Sequence, residues 1–274
     1  MSSPAITLTT TDPAAVNMLA IFRELGFRET PREGILRRDG VDLVVLGKEI
    51  VPSEGAPAAG PDPYPLDYDA VAKEIGTSYF VVASRHSAAS GRPCFTVHST
   101  GNFGDALYGG RPRELQMSPA NPLRDVYMEL QKSPPEGFQV SLEATHHSPT
   151  QFETPMFFAE VGSCPEQWGN MDACRHLAEA ILRGIEARGR AKTAIGFGGG
   201  HYCPKFSVME TEYAFGHIAA KYALDKLDDG LITQMMERTE GGAEAAFIES
   251  GSRSSDKKRI ADALAKAGIE LQTA

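Results

Sequence analysis

Short β-prone runs alternate with helical stretches along this chain, and that rhythm narrows its fold more than any other feature. Ala5-Ile6-Thr7-Leu8 is a β-prone run. Asp12-Pro13 then offers an N-cap with proline at the first helical position, followed by Val16, Leu19, Ile21, Phe22 and Leu25, with Gly26 as the stop. Val41 to Leu46 and Tyr79 to Ala83 read as strands covered on both faces, because their apolar character is nearly continuous. Phe138 to Ala144 and Met156 to Val161 read as further strands. From Asn170 onward Cys174, Leu177, Ala178, Ile181, Leu182 and Ile185 fall at helical spacing. Thr193 to Phe197 is a short strand entering a glycine turn, and Ser254 or Ser255 caps a last helix that Gly268 stops. The expected fold is α/β, a three-layer α/β/α arrangement around a mixed, largely parallel sheet.

Length fits one such domain over residues 1–274, or one with a smaller N-terminal subdomain set off by a Pro-rich loop at 52–69. Pro52, Pro57, Pro61, Pro63 and Pro65 in that stretch suit a lid or tether better than a packed element. Nothing resembles a membrane span, and Met1-Ser2-Ser3-Pro4 lacks the basic flank and apolar core of a secretory signal. Four scattered cysteines without a C-x-x-C pair suit reduced thiols in a cytoplasmic protein. Of these only Cys203 sits in a suggestive local motif. The formal net charge of −9 argues against a nucleic-acid coat or a polybasic membrane binder. It leaves room for an enzyme with a local basic track.

Five of the seven histidines fall in small-residue stretches that each follow a strand. These are Ser84-Arg85-His86, His98-Ser99-Thr100-Gly101-Asn102, Glu143 to Thr150 with His146 and His147, and Gly198-Gly199-Gly200-His201-Tyr202. In open α/β sheets the crevice beyond the carboxyl ends of the strands is where ligands bind. Singly, each has a plain structural alternative: His86 as a strand-end cap, His98 as a buried imidazole satisfied by hydroxyls. His146 and His147 point to opposite faces if extended, unless the chain turns at Pro149. His176 reads as solvated on the polar face of its helix, and His217 is undecided. The glycines before His201 could offer backbone N–H groups to an oxyanion, or be only a turn. G-x-S-x-G, P-loop and zincin spacings are absent. A metal site built by His98, His146 or His147, His201 and Glu143 or Glu160 remains open, since three protein ligands and a water is the catalytic zinc pattern.

Taken together, these stretches, with Glu160-Val161-Gly162-Ser163 and Gly216-His217-Ile218, resemble the D-aminoacyl-tRNA deacylase family of archaea and plants. The octapeptide around His146-His147 and Gly-Gly-His-Tyr are its more specific motifs. The resemblance covers nearly the whole chain and departs mainly at 52–69 and the C-terminal helix. It implies a zinc-dependent hydrolase with a phosphorylase- or peptidyl-tRNA-hydrolase-like fold. Its reaction would be hydrolysis of the ester joining a D-amino acid to the acceptor end of tRNA, a proofreading step of translation quality control in the cytoplasm.

On that basis His147, His201, Thr145 and Glu143 are the expected catalytic residues. Arg85, His86, Asn102, Thr150, Gly199, Gly200 and Tyr202 are the expected substrate contacts, and His98, His146, His147, His201 and Glu160 the expected zinc ligands. No DNA or membrane partner is expected, and the chain suits either a monomer or a homodimer. Two other readings stay open: a zinc-dependent peptidase or amidase on the same histidines, and a non-catalytic tRNA-binding module. Arg183, Arg188, Arg190 and Lys192, a second cluster of Arg253, Lys257, Lys258 and Arg259, and Arg85, Arg111, Arg113 and Arg124 are candidate phosphate contacts.

Overall fold

The computed structural model describes residues 3–48 and 66–274. In chain order its elements are β1 (Ser3–Thr9), α1 (Pro13–Glu24), β2 (Arg28–Glu29), β3 (Ile35–Arg38), β4 (Val41–Leu46), α2 (Tyr68–Ile75), β5 (Thr77–Arg85) and β6 (Cys94–His98). Then come α3 (Ala120–Leu130), β7 (Gln139–Leu142), β8 (Met156–Gly162), α4 (Pro165–Trp168), α5 (Met171–Ala187), β9 (Lys192–Phe197) and α6 (Pro204–Met209). The chain closes with β10 (Tyr213–Ala219), a 3-10 turn at Lys221–Lys226, α7 (Asp229–Glu237), β11 (Ala245–Ile248), α8 (Ser254–Ala265) and β12 (Leu271–Thr273).

The main sheet has eight strands in the order β2-β3-β4-β1-β5-β8-β6-β7. Its centre is parallel from β4 to β8, while β6 runs antiparallel to β8. The near-continuous apolar runs divide between its two faces, as side chains of period two must. Val81, Ala83, Phe157, Ala159 and Val161 join the core formed with α1, α3 and α5. Phe80, Val82, Met156 and Phe158 join a second cluster with Tyr68, Val71 and Ala72 of α2. The mixed, mostly parallel α/β sheet agrees with the expectation. A full side-chain burial of this kind is worth roughly 1.5–3 kcal/mol per large apolar residue.

A second, four-stranded parallel sheet of order β10-β9-β11-β12 was not foreseen. Ile195, Phe197, Ala246 and Ile248 face α7 and α8. On its other side Ala194, Phe215, Ala245 and Phe247 belong to the main core, where α3 contacts both β6 and β10. The helices α3 and α5 approach so closely that a Cβ on Gly184 would lie 2.6 Å from Val126 Cγ2.

β1 to β4 pair into the main sheet, and the smaller sheet is C-terminal. Two local expectations need correction. Of the Pro-rich stretch at 52–69, residues 52–65 lie outside the described residues. Tyr68 and Asp69 are helical, because the Asp67 carboxylate accepts the Ala70 N–H and starts α2. Neither Ser254 nor Ser255 caps α8; both are inside the helix, and Arg253 precedes it without a side-chain cap. Asp12 caps α1 as expected, and Asn170 caps α5. No helix among the described residues is long and apolar enough to cross a membrane.

Candidate active site

The histidine-bearing stretches converge on the face of the main sheet that carries Val82 and Phe158, near the seam with the second sheet. Register explains the convergence. Ser84 pairs with Glu160 across β5 and β8, and Thr96 pairs with Glu160 across β6 and β8. These side chains therefore lie on one face. Because β6 runs antiparallel, its last residue, His98, returns to stand opposite Phe158, with the two rings stacked 5.4 Å apart. The cluster thus extends over the sheet face, whereas the sequence suggested only the crevice beyond the strand ends. The segment after β7 crosses to the second sheet. Ala144 N–H donates to His201 O, Thr145 N–H to Ile218 O, and Cys203 N–H to Leu142 O.

A cavity of about 420 Å³ opens over this face. It is lined by His86, His146, His147, Glu160 and His201, by Val82 and Phe158, and by Thr9, Asp12 and Arg85. His147 has a left-handed backbone, φ 44°, which is the turn that brings both adjacent imidazoles to the same cavity. Ring centroids are 4.3 Å apart for His98–His146, 4.4 Å for His146–His147 and 4.6 Å for His146–His201. Three donor sets have ligand atoms within 4.8 Å of one another: His98, His146 and His147; His86, Glu143 and His201; and His98, Glu143 and Glu160. All five expected ligands are therefore in this cluster, together with Glu143 and His86.

Hydrogen bonds fix the tautomers. Nδ1 of His146 lies 2.7 Å from Ala144 O, Nδ1 of His147 2.6 Å from Ser148 O, and Nδ1 of His98 3.2 Å from Ser99 O. A carbonyl only accepts, so each Nδ1 carries the hydrogen and each neutral ring keeps an Nε2 lone pair for another partner. Burial, reinforced by the neighbouring imidazoles, holds His146 well below the usual histidine range and pushes His147 down to about 3. Burial alone would also lower His86 and His98, but the Glu160 carboxylate beside them reverses its effect and raises both. Glu160 responds in kind: burial would raise it, yet the His86 and His98 imidazoles facing it at 3.5 and 3.7 Å hold it well below the carboxylate range. Ser84 Oγ adds a further bond to it at 2.7 Å.

Glu143 is buried, and its oxygens approach His201 Nε2 at 3.0 Å, His86 Nδ1 at 3.3 Å and His98 Nε2 at 3.8 Å. None of these approaches is aligned as a hydrogen bond: both oxygens, and His98 Nε2, are buried without such a partner. Buried polar atoms are nearly always satisfied, so unsatisfied ones call for a ligand or an ion. Tyr202 hydroxyl contacts His86 Nε2 at 2.8 Å, and burial raises the phenol to about 12.

Other expected residues have different work. Thr145 Oγ1 accepts the Ile218 N–H and donates to His217 Nδ1 at 3.2 Å, so its hydroxyl is committed to the second sheet. His217 is fully buried in β10, and burial lowers it to about 4. Asn102 Nδ2 donates to Gly109 O and Arg111 O, and Thr150 Oγ1 accepts the Arg111 N–H; both pin a loop at the cavity mouth. Gly199 and Gly200 adjoin His201 but do not line the cavity. His176 is not simply solvated, since its Nε2 donates to Leu130 O and ties α5 to α3. Cys203 is fully buried beneath the glycine turn, and burial pushes its thiol up. Asp12, Ser84, Phe158 and Tyr108 line the cavity unannounced. Asp12 reads as a helix cap in sequence; its second oxygen accepts the Arg85 N–H at 2.7 Å.

The candidate phosphate contacts thin out. Arg183 bonds Glu129 and Glu179, Arg259 bonds Leu224 O and Asp256, and Arg124 bonds Glu210 O and Thr211 O. Only Arg85 lines the cavity, while Arg111 and Arg113 sit on the mouth loop, paired with Glu114 and Asp228.

A known protein of closely similar structure, a crystal structure of a conserved protein of unknown function, superposes with a TM-score of 0.84 at 25% identity, over 99% of this chain and 95% of the other. A D-aminoacyl-tRNA deacylase of Thermococcus kodakarensis is 31% identical over 96% of this chain and 97% of its own length. One from Ignicoccus hospitalis is 38% identical over 77% of this chain and 85% of its own. The D-aminoacyl-tRNA deacylase family profile matches residues 74–272, from the end of α2 through β12 and across every histidine of the cluster. The chain belongs to the D-aminoacyl-tRNA deacylase family.

Proposed function

We propose that this chain hydrolyses the ester bond of D-aminoacyl-tRNA in the histidine-lined cavity, releasing free tRNA and the D-amino acid. The observation that carries the reading is the buried cluster of imidazoles and carboxylates in which Glu143 and His98 Nε2 lack hydrogen bonds, in a chain of this family. The donor set fits zinc, which takes imidazole nitrogen and carboxylate oxygen. His98, His146 and His147 would form one ligand set, with Glu143, Glu160, His86 and His201 available to a neighbouring one. The Glu143 and Glu160 carboxylates lie 3.8 and 3.7 Å from His98 Nε2, negative charge that a dication would offset. When bound, zinc would supply a Lewis acid and a water of lowered pKa.

The protein's own groups provide the rest. His201 is half-exposed, with Nε2 toward Glu143. As a neutral imidazole open to the cavity it would take the proton of the attacking water. As the ester C–O bond breaks, that proton passes to the departing ribose oxygen. Val82 and Phe158 give the amino-acid side chain an apolar floor. The L-enantiomer would direct its side chain into the polar wall opposite, a misplacement that leaves buried polar groups unpaired. Such an enzyme would act in translation quality control, a role that suits the cytoplasm.

The test sets D-aminoacyl-tRNA beside a D-aminoacyl peptide of the same residue. Turnover of the tRNA alone supports the reading; turnover of the peptide alone assigns an amidase instead. Replacing His201 by Ala should slow deacylation about tenfold to a hundredfold, the usual worth of a general base. An unchanged single-turnover rate would remove His201 from the mechanism.

A further inference from the structure

Large apolar side chains are exposed at few places among the described residues, and three of them flank the cavity. Leu107 and Tyr108 are 59% and 43% exposed, and Tyr222 is 60% exposed. Tyr108 lines the cavity, and its carbonyl accepts the Ser148 N–H beside His147. Tyr222 stands on the 3-10 turn whose Lys221 N–H bonds Gly199 O, two residues before His201. Both tyrosines therefore stand beside the histidine cluster, one anchored next to His147 and the other next to the glycine turn.

The loop that displays Tyr108 is held firmly. Asn102 and Thr150, both buried, bind its backbone at Gly109 and Arg111. Gly110, at φ 80°, packs so tightly that a Cβ there would lie 2.7 Å from Thr150 Cγ2. The loop also meets the 3-10 turn: Arg113 Nη1 donates to Lys226 O. The loop is pinned by buried polar side chains and leaves Leu107 and Tyr108 largely open to water. Such exposure beside a cavity marks a ligand-contact surface.

Charge says which ligand. Arg111, Arg113, Lys221 and Lys226 on these two segments are balanced by Asp105, Glu114, Asp225 and Asp228. The rim is neutral on a body of net charge −9, so it neither attracts phosphate strongly nor repels it. Flat aromatic faces on a neutral rim suit bases rather than backbone, because every base has a π-face and stacking needs no counter-charge.

We propose that Tyr108 and Tyr222 form the platform on which the unpaired nucleobases at the 3′ end of the substrate stack, while the aminoacyl ester enters the cavity beside them. This rests on the deacylase reading above. It makes the acceptor end's bases a source of binding energy and accounts for how an acidic protein holds a polyanion.

The experiment compares two substrates of the same D-amino acid, its tRNA ester and its methyl ester, with Tyr222→Ser, Tyr108→Ser and the matching Trp variants. The Ser variants should lower kcat/KM on the tRNA by about tenfold to a hundredfold for each base that loses its partner. The change should fall on KM, exceed any loss on the methyl ester at least tenfold, and be restored by Trp. The salt dependence of KM should be shallow and unaltered by these substitutions. Equal losses on both substrates, or none on the tRNA, would overturn the platform and leave the deacylase reading standing. A wild-type protein inactive on D-aminoacyl-tRNA would instead remove that reading. A dimer in sedimentation that Tyr222→Ser dissociates would assign this rim to a contact between copies and also overturn the platform.

Discussion

Two sets of buried polar side chains lie a few ångströms apart where the sheets meet, and they differ in whether their hydrogen bonds are made. In the first, the Ile218 N–H donates to Thr145 Oγ1, the Thr145 hydroxyl donates to His217 Nδ1, and His217 Nε2 donates to Arg238 O. Every group in that chain has a partner. In the second, both Glu143 oxygens and His98 Nε2 are buried without one, although imidazoles and carboxylates crowd around them. An internally satisfied network ties structure together; a polar cluster left open needs something from outside. In the first set Thr145 and His217 join the sheets; in the second the open hydrogen bonds support the proposed place of Glu143 and His98 in the ligand site. Glu143 and Thr145 both follow β7, two residues apart, so position alone does not tell the sets apart.

The largest expected effect comes from the open set. Glu143→Gln keeps the shape but removes the charge that faces His86, His98 and His201. Deacylation should fall at least about a hundredfold, the scale of losing an electrostatic or acid–base contact in a dry site. Thermal stability should hold or rise, because an unpaired buried charge is costly to the fold. A variant that melts early yet retains its rate per folded molecule would break the comparison from this side.

The satisfied set answers to pH and to stability measurements. His217 titrates near 4 when folded and near 6.5 when unfolded, because burial disfavours its charge. Between those values the unfolded chain binds the extra proton, so stability rises with pH. His217 therefore contributes its full effect above about 6.5 and loses it as the pH falls toward 4, on the order of 3 kcal/mol in all. Denaturant melts across that window should show a shallower slope in His217→Gln than in the wild type. Identical slopes would mean His217 is not the buried neutral link described. The smallest effect belongs to Thr145→Val, which strands the Ile218 N–H and His217 Nδ1 and should cost about 1–3 kcal/mol of stability. Its single-turnover rate should stay within a few-fold of the wild type; a hundredfold loss would return Thr145 to the catalytic group.

How far these assignments were legible in the sequence depends on how local their causes are. The strand at Val41–Leu46, the strand around Tyr79–Ala83 and the helix opened by Asn170 are legible because burial on two faces, amphipathic spacing and a cap are written into adjacent residues. The second sheet is not, since Ala245–Ile248 is four residues long and becomes a strand only by pairing with β9. The histidine cluster is legible as a set of stretches after strands, but the role of each member is tertiary. Thr145 turns away from the cavity because of a histidine 72 residues later. Glu143 is open because no donor in its surroundings reaches it in line. Tyr108 carries no signal in a loop of glycines and charged residues until Asn102 and Thr150 are seen to hold that loop over the cavity.

The most direct test of the central claim is single-turnover hydrolysis of matched D- and L-aminoacyl-tRNA by protein of measured zinc content, before and after chelation. The account predicts release of the D-amino acid alone, loss of that release when metal is stripped, its return with added zinc, and failure of zinc to bind or restore activity in a His98→Ala, His147→Ala variant. Undiminished hydrolysis of D-aminoacyl-tRNA by the metal-free protein, or equal hydrolysis of the L-enantiomer, would contradict it.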